Sequence, residues 1–184
     1  MRRWPPILAI AAVCLGQPAA GAASPPATAK IPPAEQDYIA MVDTARRAFA
    51  ASRSVDARAE LRMGLQISTH AFMGLTHTAQ GWAGTFLGST KADDGSRSIL
   101  IEIAPGIAIS TLDSRYADAP YATMVARDTA MARAVDRLTI GQPVVFSADL
   151  LGSVIGDDEN MVMHPRIIAV ITRLTGMGDE QPGP

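Results

Sequence analysis

Near Thr76 the spacing of apolar residues switches from that of helices to that of strands, and this switch limits the folds open to the chain. Over residues 34–51, Tyr38, Val42, Ala45 and Phe49 recur at intervals of four, three and four, which places them on one face of a helix. Pro33 suits its first turn. Glu35 and Asp37 lie toward its positive end, and Arg46 and Arg47 lie later, where cations are favoured. Residues 54–63 form a second, short helix with Ser54 as N-cap and Gly64 as a stop. Residues 65–75 are ambiguous and receive no assignment.

Beyond Thr76 the period approaches two. Residues 81–90 read as a strand with glycines where bending or close packing is needed, and residues 91–96, holding Asp94-Gly95, form a hairpin loop. Residues 98–103 align Ile99, Ile101 and Ile103; after a turn at Ala104-Pro105-Gly106, residues 107–112 form a third strand with Ile107 and Ile109 on one side. Met124, Met131, Val135 and Leu138 mark a helix that Gly141 ends. A fourth strand over residues 142–151 carries Val144, Phe146 and Leu150 on one side. Met161 to Met163 pair briefly, and residues 167–174 are a fifth strand, apolar enough for burial on both faces. This order of five short strands, with one helix between the third and fourth, is that of an OB-type Greek-key barrel of the α+β, mainly β, class. The helix plugs the bottom of the barrel. The N-terminal helical segment is expected over residues 34–75, the barrel over 76–175 and a flexible tail over 176–184.

The first 23 residues read as an export signal. Met1-Arg2-Arg3 is basic, Ile7 to Leu15 is apolar, and Ala20-Gly21-Ala22 is a small-x-small cleavage site. Gly16, Gln17 and Pro18 cut the apolar run short of a membrane span. Val13 before Cys14 argues against lipidation. A Pro/Ala-rich linker over residues 24–33 follows. Cys14 is the chain's one cysteine, so the processed protein has no disulfide, thiolate ligand or thiol nucleophile. Roughly 160 residues then make one domain with an ordinary core. Loss of Arg2 and Arg3 leaves 14 basic against 18 acidic residues, a charge of about -4, which disfavours nucleic acid and anionic membranes.

The barrel strands resemble a known group. Gly81-Trp82-Ala83-Gly84, the strand at 98–103, Thr111-Leu112 opening a loop, and Leu138-Thr139-Ile140-Gly141-Gln142-Pro143-Val144-Val145-Phe146-Ser147 look like exported bacterial OB-fold proteins similar to the tRNA_anti-like group. The resemblance covers residues 76–174 and implies the fold, without handing over catalytic residues. The chain departs from the pattern at Ala148, where a glycine usually follows Phe-Ser, and at Leu112-Asp113-Ser114, which replace a polar-aromatic signature.

Tests for chemistry come back bland. His70, His77 and His164 show no HExxH or His-x-His spacing, so no metal is expected. Asp157-Asp158-Glu159-Asn160 lacks the alternate-residue spacing of a calcium loop and reads as solvated loop. Gly152-Ser153-Val154-Ile155-Gly156 misplaces the serine of a nucleophile elbow, and no phosphate cradle exists, so no cofactor is expected. Single-strand nucleic-acid binding by a barrel requires a basic groove with stacking aromatics. Arg127, Arg133 and Arg137 read instead as the outer side of a helix. The sharpest features left are Tyr116 and Tyr121, flanking Pro120 in the loop before that helix, with Trp82 on the first strand. They favour a non-catalytic binding or interaction module of the periplasm or exterior, contacting a small molecule, glycan or envelope protein. The rival is a periplasmic hydrolase whose carboxylates and histidine meet only in three dimensions. In a third reading, the N-terminal helices dock an envelope partner and the barrel supports them.

Overall fold

The computed structural model describes residues 31–154 and 160–178; the side chains of Arg115, Tyr116, Val154, Asn160 and Met161 are outside that description. The expected export signal, the leader as far as residue 30, the acidic residues 157–159 and the last six positions also lie outside the described residues.

Helix α1 (Pro33–Ala51) begins on Pro33 and buries Glu35, Tyr38, Val42 and Phe49 along one face. Helix α2 (Val55–Thr76) is capped as expected, its Ser54 hydroxyl accepting from the Ala57 N–H at 3.3 Å. It does not stop at Gly64. Leu65, Thr69 and Met73 extend the buried face at intervals of four, and this packing outweighs the roughly 1 kcal/mol that a mid-helix glycine costs. The segment without an assignment is thus the second half of a 22-residue helix. It ends where His77 takes φ 48°. The Leu150 N–H then bonds the His77 carbonyl at 2.8 Å, tying the helix end to the barrel.

The barrel comprises β1 (Thr78–Lys91), β2 (Arg97–Ala104), β3 (Ile107–Ser110), β4 (Pro143–Val154) and β5 (Arg166–Gly176). Strand order is β1-β2-β3-β5-β4, and β4 closes on β1. All pairs are antiparallel except β3 with β5. This is the closed five-stranded OB-type barrel with N-terminal helices before it. Long β1 serves both neighbours in turn, pairing β4 over Thr78 to Thr85 and β2 from Thr85 onward, and it bends at a bulge around Gly81 (φ 64°). At Gly84 a Cβ would lie 2.6 Å from Ile101 Cγ2 and 2.8 Å from the Glu102 carbonyl oxygen, so only glycine permits this approach.

Between β3 and β4 lie α3 (Arg115–Asp118) and α4 (Ala130–Arg137); α5 (Asn160–Met163) precedes β5. Helix α4 is shorter than the apolar spacing implied. Asp128 turns with φ 64° and Thr129 caps the helix, accepting from the Ala132 N–H at 3.1 Å, so Met124 belongs to the preceding loop. Gly141 (φ 87°) does not end α4, which stops at Arg137; it shapes the turn into β4, where its N–H bonds the Phe86 carbonyl at 2.8 Å. Met161 to Met163 form α5 rather than a strand pair.

Helices and barrel share one core. Tyr38, Val42, Leu65 and Met73 belong to the same buried cluster as Trp82, Ile101, Ile109, Phe146 and Ile167. Ala132 and Val135 of α4 add to it, as the plug expectation requires. Ile167, Ile168 and Ala169 are all buried, so the start of β5 is covered on both faces; its far half exposes Thr172, Arg173 and Thr175.

Candidate functional site

Strand alternation builds a surface on β2 and β3. Ile99, Ile101, Ile107 and Ile109 point inward, so Leu100 and Ser110, which are partners in the ladder, stand on the outer side. Ser110 is nevertheless only 2% exposed, and its hydroxyl has no hydrogen-bond partner among the described residues. A cleft of about 590 Å³ opens here. Its lining includes Gly88 of β1, Arg97 and Leu100 of β2, Ser110 of β3, Asp136 of α4 and Arg166 of β5. Arg97 Nη2 pairs with Asp136 Oδ1, joining the hairpin to α4. The Arg166 guanidinium makes no hydrogen bond or ion pair among the described residues, which leaves it and the Ser110 hydroxyl as donors in search of an acceptor.

The loop from β3 to α4 is braced beside this surface. Thr111 Oγ1 accepts from the Ile99 N–H at 2.9 Å, hooking the loop start to β2. Asp118, 7% exposed, accepts from the Thr123 N–H at 2.5 Å, the Thr123 hydroxyl at 2.6 Å and the Met124 N–H at 3.1 Å. Thr123 Oγ1 in turn accepts from the Leu112 N–H at 2.8 Å. Paired Arg97 and Val125 backbone bonds of 2.8 and 2.9 Å fasten the far end to β2. On this frame Tyr121 stands 57% exposed.

The structure does not gather the aromatic residues singled out from sequence. Tyr121 is displayed on the loop but does not line the cleft. Tyr116 belongs to α3, and its side chain lies outside the described residues. Trp82 is 1% exposed, its ring 6.4 Å from both Phe72 and Phe146, so it offers no face to a surface ligand. The histidines are dispersed as well. His70 is exposed on α2, His77 caps that helix, and His164 lies against Gly106, where a Cβ would come within 2.8 Å of its Nδ1. Among the described residues no group of three metal-ligating side chains occurs, and no histidine bonds a carboxylate.

Two polar residues of α1 have roles beyond the helix-end charges read from sequence. Glu35, expected at the positive end of α1, is 1% exposed and accepts from the Ala83 N–H at 3.1 Å, on the stretch of β1 that lacks β2 as a neighbour. Burial pushes its carboxyl up to about 7, and the Ala83 bond only partly offsets this. Arg46 clasps the Pro105 and Gly106 carbonyls at 2.9 and 2.8 Å and also bonds the Met163 carbonyl. It thereby locks the β2–β3 turn and α5 onto α1. Helical spacing does mark Glu35, which stands three residues before Tyr38 on the buried face, whereas nothing local marks the Arg46 clasp, whose partners are the β2–β3 turn and α5. Ser110 was accessible to sequence reasoning: the inward pairing of Ile107 and Ile109 already sets it on the other side.

Barrel order and the helix after β3 define an OB-type barrel, with a polar cleft on its outer side. No family model, curated protein or solved structure matches the chain.

Proposed function

We propose that this protein is a non-catalytic binding module of the bacterial cell envelope, exported by the signal in its first 23 residues and similar to the exported tRNA_anti-like OB group. Its ligand is an oxygen-rich small molecule, glycan or segment of an envelope protein. The observation that carries this reading is the cleft on the first three strands, where the buried Ser110 hydroxyl and the Arg166 guanidinium both lack partners among the described residues. Unmet donors held by rigid strands favour acceptor oxygens of a ligand over water, because their orientation is fixed before binding. The Arg97–Asp136 pair supplies a fixed donor and acceptor on the rim. Leu100 and Ile140, the latter 77% exposed, add apolar surface suited to the carbon faces of such a ligand.

The test is thermal-shift screening of the processed protein against envelope glycans, ions and peptides, followed by titration of each hit against Ser110→Ala, Arg166→Ala and Tyr121→Ala. Loss of binding in the first two variants is expected; hits that survive both would show that this surface is the wrong one. Tyr121→Ala separates a cleft that acts alone from one that works with the loop. Mass spectrometry of the exported protein checks the compartment, and an uncut N-terminus would refute it.

A further inference from the structure

We infer that the α1–α2 hairpin is a self-association surface, on which a second copy of this chain lays its own α1 antiparallel to the first. Opposite the buried face of α1, the residues Pro33, Asp37, Ala40, Thr44, Arg47 and Ala51 recur at intervals of four and three, and all six are exposed. The series is symmetric about the level of Val42. Reversing the helix exchanges Pro33 with Ala51, Asp37 with Arg47 and Ala40 with Thr44. A two-fold axis at that level therefore sets Asp37 of each copy beside Arg47 of the other, twice over, with only small side chains between the backbones.

Within one chain these charges cannot meet, since ten residues of helix separate them by roughly 15 Å. Asp37 has no partner among the described residues, and Arg47 reaches only Thr44 Oγ1 in its own previous turn, at 3.2 Å. The stripe borders a groove of about 920 Å³ between the helices, lined by Ala40, Thr44 and Ala48 of α1 and by Leu61, Gly64 and Ser68 of α2. An anionic membrane fits this face poorly, because the stripe itself bears one charge of each sign. A second copy matches it position by position. The inference is independent of the ligand proposed for the cleft.

Sedimentation velocity over a range of protein concentrations reads the outcome. The native protein should dimerise, and Asp37→Arg and Arg47→Asp should each weaken dimerisation by about tenfold or more, since each sets like charges together at both contacts. Both sites are exposed, so circular dichroism, and the melting temperature at concentrations too low for dimers, should stay unchanged. An equimolar mixture of the two single variants should recover dimers, because the stripe of one variant then carries two cations, that of the other two anions, and opposite charges meet at both contacts. A protein that stays monomeric at high concentration overturns the inference. So does a dimer indifferent to both variants, or a mixture that shows no recovery.

Discussion

Glu35 makes the stability of this fold sensitive to pH through one buried carboxyl group. Its folded value, about 7, lies above the ordinary 4.5, so the folded state holds a proton that the unfolded state has released between those values. The stability that Glu35 contributes is therefore fully present below about 4.5 and is lost as pH rises to about 7, by an amount on the order of 2 to 3 kcal/mol. Glu35→Gln keeps a neutral acceptor for the Ala83 N–H, and chemical denaturation at pH 4.5 and pH 8 should show that decline flattened. Asp118 is a second single-residue lever. Asp118→Ala strands the Thr123 N–H and hydroxyl and the Met124 N–H, so a loss of roughly 1 to 3 kcal/mol is expected, with faster hydrogen exchange across the β3–α4 loop. Gly106 (φ 70°) is wedged between His164 Nδ1 and Arg46 Nη2, which would lie 2.8 and 3.0 Å from a Cβ. The left-handed backbone angle disfavours a side chain there, and one would also push the Arg46 guanidinium off the carbonyls it holds.

Helix α2 shows how packing overrides local preference. Two glycines, Gly64 and Gly74, lie inside it, and a methyl group at either position would meet nothing within 4 Å. The helix still runs unbroken because Leu65, Thr69 and Met73 are held against the core. Gly74→Ala should therefore raise stability by about 0.5 to 1 kcal/mol, read as a higher melting temperature, since it adds helix propensity without a clash. Helix α4 is the reverse case. Its eight residues are too few to be stable alone, and they are fixed by Thr129 at one end, by Ala132 and Val135 inside, and by the Asp136–Arg97 pair outside. The cleft depends on that arrangement, because Asp136 reaches its rim only while α4 is seated on the barrel.

Helical hairpin and barrel stand or fall together. Tyr38 and Val42 are fully buried, Tyr38 packs on Phe72 at 5.1 Å, and Phe72 meets Trp82, which meets Phe146 inside the barrel. Deleting residues 34–51 should accordingly abolish cooperative unfolding in circular dichroism melts instead of leaving a folded barrel without its partner. A sharp melt for the truncated chain would restore the view that the helices only dock on a finished domain. Trp82→Ala should cost about 3 to 5 kcal/mol by opening a cavity at the junction of the two parts. Such a loss also explains why an aromatic residue on the first strand is read better as mortar than as a ligand contact.

Local rules were enough for the strands. Alternation of Ile99 with Ile101 and of Ile107 with Ile109, the turn at Pro105-Gly106 and the helix between the third and fourth strands set the order and facing of these elements, because each depends on neighbours a few positions away. The capping of α2 by Ser54 was legible for the same reason. Continuation of α2 past Gly64, the bond from the Ala83 N–H to Glu35 and the Arg46 clasp were not, since their energies come from contacts with residues far along the chain. The cleft divides in the same way. Alternation places Ser110 on the outer side, but only the closing of β5 against β3 and the seating of α4 enclose its hydroxyl and bring Arg166 beside it, because a cleft is a property of packed elements and no periodicity encodes it.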